Sequence, residues 1–152
     1  MLPLSGERKP YPFLQAPFSQ LEAQFSPDGK WLAYFSLESG RPEVYVAPFP
    51  GSGGKWLVST EGGTWPRWRR DGKEILYLSP DNKVMAAEVR ASGSSFEVGA
   101  VRALFETRPY RTGGAAFDVS ADGQRFIIKY AQEQPTAAIT LVVNWTSELK
   151  KK

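Results

Sequence analysis

The segment Gly62 to Arg70, GGTWPRWRR, combines aromatic and cationic side chains more densely than any other stretch of the sequence. Guanidinium groups pair with carboxylates and stack on rings, so Trp65, Arg67 and Arg69 could offer a surface to an anionic ligand or a peptide. The alternative is structural: Trp68 would pack in the core while the arginines pair with nearby carboxylates. The sequence leaves both interpretations open.

Three aspartates stand directly before a glycine, at Asp28-Gly29, Asp71-Gly72 and Asp122-Gly123. Loop carboxylates suit calcium, but each of these lies alone, without the Asp-x-Asp-x-Asp spacing of a loop site. Asp-Gly between two apolar runs is typical of a tight hairpin turn, because glycine accepts positive φ and the carboxylate binds nearby backbone N–H groups. We therefore interpret these six residues as turn-forming, and we predict no metal and no cofactor.

Acid–base chemistry would have to come from carboxylates, and the candidates are Glu22, Glu43, Glu88 and Asp118. Their spacing does not place any two of them together. The chain contains no histidine and no cysteine, which excludes imidazole bases, Ser-His and Cys-His pairs, and zinc sites built on either residue. A hydrolase or lyase that uses carboxylates and arginines remains the alternative to a non-catalytic protein.

Composition is that of one folded unit. The 152 residues are 41% hydrophobic and 13% aromatic, enough for a single core of ordinary size. The net charge of +3 equals the contribution of Lys150 to Lys152 and is too small to indicate nucleic acid. No apolar run reaches membrane-spanning length, and the start MLPLSGERKPYP lacks the apolar region of a signal peptide. We expect no nucleic-acid or membrane binding in this segment.

One pattern recurs three times along the chain. FSPDGKWLAY at 25–34 returns as WRRDGKEILY at 68–77 and as VSADGQRFII at 119–128, so the aspartates are 43 and 51 residues apart. Each turn is predicted to join two strands, and the first two units continue with a third and a fourth. The predicted strands are 22–26, 30–36, 43–47 and 55–58, then 65–69, 74–79, 84–89 and 102–105, then 116–120, 125–131 and 139–144. Four antiparallel strands in about 43 residues is the size of a propeller blade.

The predicted fold is therefore all-β, a β-propeller fragment of three four-stranded blades. Residues 1–15 would supply the fourth strand of a shared blade, 20–60 and 63–108 would be complete blades, 115–146 would supply three strands, and 147–152 would be a tail. Three blades do not close a ring. We predict that two copies form a six-bladed homodimer in which Tyr11 to Gln15 of each chain completes the blade begun by Ala116 to Asn144 of the other. In the alternative, the missing blades belong to a longer chain.

The sequence resembles the TolB-like propeller repeats, which are related to WD repeats, over nearly its whole length. The resemblance is closest to the final blades of propellers attached to bacterial serine/threonine protein kinases, and it is carried by FSPDGKWLAYFSLESGRPEVYVAPFP, GGTWPRWRRDGKEILYL, FDVSADGQRFII and LVVNWTSELKK. It implies a non-catalytic module that recognises a protein or peptide, as the sensory or scaffolding part of a larger bacterial protein. The chain has no Gly-rich phosphate loop and no His-Arg-Asp loop, so kinase activity would belong to a domain outside this segment. Localisation is unassigned, and an extracytoplasmic part of a membrane-anchored parent is one option.

Overall fold

The computed structural model describes residues 1–6, 8–51, 53–109 and 114–130, and these residues form an all-β structure without helices. All pairings between its strands are antiparallel. The strands are β1 (Gln20–Phe25), β2 (Trp31–Ser36), β3 (Glu43–Pro48), β4 (Trp56–Leu57), β5 (Thr64–Trp68), β6 (Glu74–Leu78), β7 (Lys83–Ser92), β8 (Ser95–Glu106), β9 (Phe117–Val119) and β10 (Phe126–Ile128). The prediction of an all-β chain is confirmed.

The strands form three sheets, each in sequence order. The first sheet contains β1 to β4, the second contains β5 to β8, and the third contains β9 and β10. Each Asp-Gly turn joins the first two strands of one sheet. The predicted strand 139–144 and the tail 147–152 lie outside the described residues.

The three sheets stack with their strands in matching order. The first strand of the second sheet, β5, packs against β1 and β2 of the first sheet, and β8 packs against β4. In the third sheet, β9 lies against β5. The first strands β1, β5 and β9 are therefore neighbours along one edge of the stack, and the last strands β4 and β8 are neighbours along another.

The main core lies between the first and second sheets. It is built around an aromatic cluster in which the Phe96 ring lies 4.9 Å from Trp31, 5.8 Å from Trp56 and 6.2 Å from Trp68. A second core between the second and third sheets contains Trp65, Leu76, Leu78, Val84, Ala116 and Phe117. Because the second sheet has a core on each side, β6 is buried along its whole length.

Two features differ from the sequence prediction. The predicted strands 84–89 and 102–105 leave out residues 90–95, but β7 and β8 continue through them and leave only Gly93 and Ser94 as the turn. Gly93 has a φ of 59°, the conformation that a two-residue hairpin needs at its first central residue. Glu22 and Trp65 also have positive φ, at 52° and 51°, where β1 and β5 each contain a register shift. These are β-bulges at equivalent positions, 43 residues apart.

Residues 11–15 form no strand within the chain. The segment folds back so that the Tyr11 N–H donates to the Met1 carbonyl at 2.8 Å and the Met1 amino group donates to the Tyr11 carbonyl at 2.7 Å. Leu14 then packs against Tyr34, Tyr45 and Ala47 on the outer face of the first sheet. The predicted pairing was with a second copy, so it stays a prediction.

The Phe96 ring is expected to be a main source of stability. Phe96→Ala removes the ring shared by three tryptophans and leaves a cavity, so it should lower the free energy of unfolding by about 3–5 kcal/mol. The measurement is equilibrium unfolding in urea, monitored by tryptophan fluorescence. Phe18→Ala is the matched control, because Phe18 is 47% exposed and its loss should cost less than about 0.5 kcal/mol. Equal losses in the two variants would contradict the assignment of this core.

Candidate functional site

The six turn residues predicted from the sequence lie at tight turns. Gly29, Gly72 and Gly123 all have a φ of 71°, and the N–H of each donates to the carbonyl three residues earlier. Asp28 Oδ1 accepts hydrogen bonds from Ser26 Oγ at 2.6 Å and from the Lys30 N–H at 3.1 Å. These bonds hold the carboxylate in its charged form and lower the pKa of Asp28.

The third turn repeats this arrangement, and a fourth copy occurs at a turn without an Asp-Gly pair. Asp122 accepts from Ser120 Oγ and from the Gln124 N–H, which lowers its pKa. Between β6 and β7, the Ser79 hydroxyl donates to Asp81 and accepts from the Lys83 N–H at 3.0 Å, while Asn82 has a φ of 65°. The Asp-Gly pattern does not include this turn, because asparagine takes the place of glycine. The similarity of SPDNK to SPDGK would have revealed it.

The second turn differs because an arginine replaces the serine. Arg69 Nε donates to Asp71 Oδ1 at 2.9 Å, Nη2 donates to Oδ2, and Nη1 donates to Glu74. This bidentate pair lowers the pKa of Asp71 to about 2. The Arg69 stem also lies over Gly123, where a Cβ would come within 2.7 Å of Arg69 Cδ. Arg69 therefore links the second turn to the third.

Arg67 occupies the middle of the edge formed by the first strands of the three sheets. Its side chain is 13% exposed, with Nη2 4.0 Å from Glu22 on β1 and Nε 3.7 Å from Asp118 on β9. Gln24 on β1 lies beside it and accepts a hydrogen bond from the Trp68 N–H at 2.7 Å. We call Glu22, Gln24, Arg67 and Asp118 the inner row.

The three residues predicted to form a ligand surface thus have different surroundings. Trp65 is 8% exposed and packs in the core between the second and third sheets. Arg67 lies in the inner row, where it faces two carboxylates. Arg69 lies in its turn, paired with Asp71 and Glu74. Of the two arginines, Arg67 has the longer ion pairs, since its distances to Glu22 and Asp118 both exceed the length of a hydrogen bond.

The four carboxylates considered for catalysis lie in three places in the structure. Glu22 and Asp118 both face Arg67, while Glu88 is exposed on β7. Glu43 is only 2% exposed, and it accepts hydrogen bonds from Arg41 Nε at 2.6 Å, from the Gly62 N–H at 3.0 Å and from Ser59 Oγ. Glu43 thereby holds β3 to the segment between β4 and β5.

A groove of about 730 Å³ lies between the first two sheets, at the end where the β1–β2 and β5–β6 turns meet. We call it the turn groove. Trp31 and Trp68 line it, the exposed end of β7 with Arg90 and Ala91 forms one wall, and Asp28 lies in another. The groove could not be predicted from the sequence, because it depends on stacking between sheets and on how far β7 extends.

The described ranges contain no cluster of three or more side chains placed to hold a metal ion. Within the same residues, no helix has the length and apolar character needed to cross a membrane. The fold and site define an antiparallel all-β protein with a cation between two carboxylates at the edge of its sheets. No protein-family model and no curated protein matches the chain.

Asp71 should contribute to the acid sensitivity of the fold. Its pKa is lowered from 3.8 to about 2 in the folded state, so its contribution to stability is present above pH 4 and is lost as the pH falls through 2. Asp71→Asn keeps the turn geometry but removes this charge, so its stability should fall less steeply between pH 4 and pH 2. Urea midpoints measured across this range test the prediction. A wild-type slope in Asp71→Asn would contradict this role of Asp71.

Glu43 should be the most sensitive carboxylate of the first sheet. Glu43→Ala leaves the Ser59 hydroxyl and the Gly62 N–H without their acceptor, so we expect a loss of about 2–4 kcal/mol. Lys55→Ala is the comparison, because it breaks a surface pair with Glu38 that should be worth less than about 1 kcal/mol. Urea unfolding of both variants measures the difference. A similar small loss in both would show that the buried network around Glu43 is not a major contributor.

Proposed function

We propose that this chain is a non-catalytic β-propeller module that recognises a protein or peptide, and that it forms the C-terminal sensory or scaffolding part of a larger bacterial protein. The observation that carries the proposal is the stacking order of the sheets. First strands lie beside first strands, and β8 lies beside β4. Blades arranged around a channel have this order, with the first strand of each blade innermost.

The N-terminal segment supports closure of the ring by a second copy. Leu14 covers part of the outer face of the first sheet, and the Phe13 ring lies 5.0 Å from Phe49. In a closed propeller, this face is covered by the neighbouring blade, whose outermost strand the segment 11–15 would supply. The packing of Leu14 on the first sheet therefore fits a blade shared between two chains.

Apolar side chains at both ends of the stack support the same proposal. Phe25 and Leu57 are exposed on the first sheet, and Ile127 is exposed on the third. An open stack leaves such faces in water, whereas a ring of two copies buries the end of one chain against the start of the other. Burial of these side chains would provide the free energy for assembly.

The inner row would border the channel of this ring. Arg67 lies at its centre, and its distances of 3.7 and 4.0 Å to Asp118 and Glu22 leave its Nε and Nη2 donors able to bind an acceptor on a partner. Planar guanidinium groups bind carboxylates and peptide carbonyls through two N–H groups at once. We therefore assign Arg67 as the main contact for a peptide that enters the channel.

Light scattering behind a sizing column tests the assembly. The expected mass is twice the chain mass of 16.9 kDa, across a dilution series. Leu14→Asp should shift the population to monomer, because a charged carboxylate would replace the half-buried apolar contact with Tyr34 and Tyr45. Leu4→Asp is the control, since Leu4 is 83% exposed and should leave the mass unchanged. A monomer at all concentrations for the wild-type chain would overturn closure by a second copy.

Peptide display tests the recognition site. The full chain is immobilised and used to select from a phage-displayed library of random peptides, and the selected peptides are titrated against variants. Arg67→Ala should weaken their binding about tenfold or more, because it removes a charged donor. Arg70→Ala changes an exposed arginine three residues away and should have little effect. Equal binding to both variants would contradict the assignment of Arg67.

A further inference from the structure

We propose that the turn groove is a second binding site, which takes an extended peptide that adds as a strand to the open edge of β7. This inference shares its class of partner with the proposed function but uses different residues. The two can therefore fail separately. Three observations carry it: an open strand edge, a buried donor without an acceptor, and walls that carry charges of both signs.

The open edge arises because β7 is longer than its neighbour β6. β6 begins at Glu74, which is paired with Glu88, and just before it the Lys73 carbonyl accepts the Val89 N–H at 2.9 Å. Beyond Val89, β7 continues to Ser92 and is paired only with β8. Backbone groups alternate between the two sides of a strand, so the Ala91 N–H and C=O point to the same side as those of Val89.

Ala91 is exposed, and it lines the turn groove. Its N–H and C=O form a pairing position on the side where the second sheet has no further strand. Exposed strand edges of this kind bind extended peptides through main-chain hydrogen bonds. The projecting end of β7 is thus a template for one more strand.

The buried donor belongs to Trp68, which lines the same groove. Its side chain is 6% exposed, and its Nε1–H has no acceptor among the described residues. Buried N–H groups are almost always paired, because an unpaired donor loses its hydrogen bond to water without replacement. Because Nε1 is covered in the unbound chain, a carbonyl of a bound peptide would accept its hydrogen bond once the Trp68 ring turns toward the groove.

The charges of the groove favour a peptide over a polyanion. Arg69 is neutralised by Asp71 and Glu74. The other charged lining residues are two carboxylates and two cations: Asp28, Glu88, Lys73 and Arg90. Two carboxylates repel a phosphate backbone, whereas a peptide with charges of both signs can match all four groups. The volume of about 730 Å³ lies in the range of ligand pockets.

The test uses the full chain and peptides selected from a phage-displayed random library, with affinities measured by calorimetry. Ala91→Pro removes the N–H of the open edge and leaves the hydrogen bonds to β8, so binding should weaken about tenfold or more. Ala91→Val keeps the N–H and should bind within about twofold of wild type. Trp68→Phe keeps an aromatic floor without the donor and should weaken binding about three- to tenfold.

Hydrogen exchange on the wild-type chain gives a readout that needs no variant. The Ala91 amide should exchange more slowly when the peptide is bound, because it donates to the added strand. Unchanged exchange at Ala91, or full affinity in Ala91→Pro, would overturn the inference. Failure to select any binding peptide would overturn it as well.

Arg67→Ala separates the two sites. Peptides that lose binding in Ala91→Pro but keep it in Arg67→Ala support the turn groove, whether or not the inner row also binds a peptide. Peptides with the opposite response support the inner row and count against the groove.

Discussion

The structure depends on the burial of both faces of the central strands. All six residues of β2 and all five of β6 are buried, so these strands present apolar side chains to both sides. A sheet of this kind is stable only when something covers each face. The second sheet satisfies this need with the first and third sheets, and the first sheet uses the second sheet on one side and Leu14 on the other. Stacking is therefore required by the sequence of the central strands.

Polar groups act mainly at the ends of the strands, where the stack meets water. Three serine-based turns use a hydroxyl and a carboxylate to bind the backbone of their own loop. In the turn at Asp71, the guanidinium of Arg69 takes the place of the hydroxyl. The Asp71 carboxylate holds this side chain so that it lies over Gly123 in the turn of the third sheet. One substitution in a repeated motif thus converts a local cap into a contact between sheets.

Much of the secondary structure could be predicted because its signals are local. Asp-Gly turns specify hairpins through the conformation of glycine, and unbroken apolar runs indicate strands that are covered on both sides. Residues 90–95 fell outside the predicted strands because serine and glycine are common in loops, while pairing between β7 and β8 extends both strands up to the turn at Gly93 and Ser94. The bulges at Glu22 and Trp65 contain no glycine at the position of positive φ, so the sequence gives no local sign of them.

The candidate site was less predictable, because it depends on contacts between distant residues. Trp65 and Trp68 are three positions apart, so alternation along a strand places them on opposite faces, but only the stacking of the sheets decides which core each one joins. The ion pairs of Arg67 join positions 45 and 51 residues away. No local sequence pattern predicts contacts between residues so far apart in the chain. The turn groove could not be predicted for the same reason.

The inner row has a consequence for how such a chain can evolve. Gln24, Arg67 and Asp118 each stand four residues before a turn aspartate, so they occupy equivalent positions in three similar units and carry an amide, a cation and an anion. Each copy interacts with the unit beside it: Gln24 with the backbone of Trp68, and Arg67 with Asp118. A change at one of these positions is therefore constrained by the units beside it. These contacts fix the order of the units, because a unit moved to another place in the stack would meet the wrong charge.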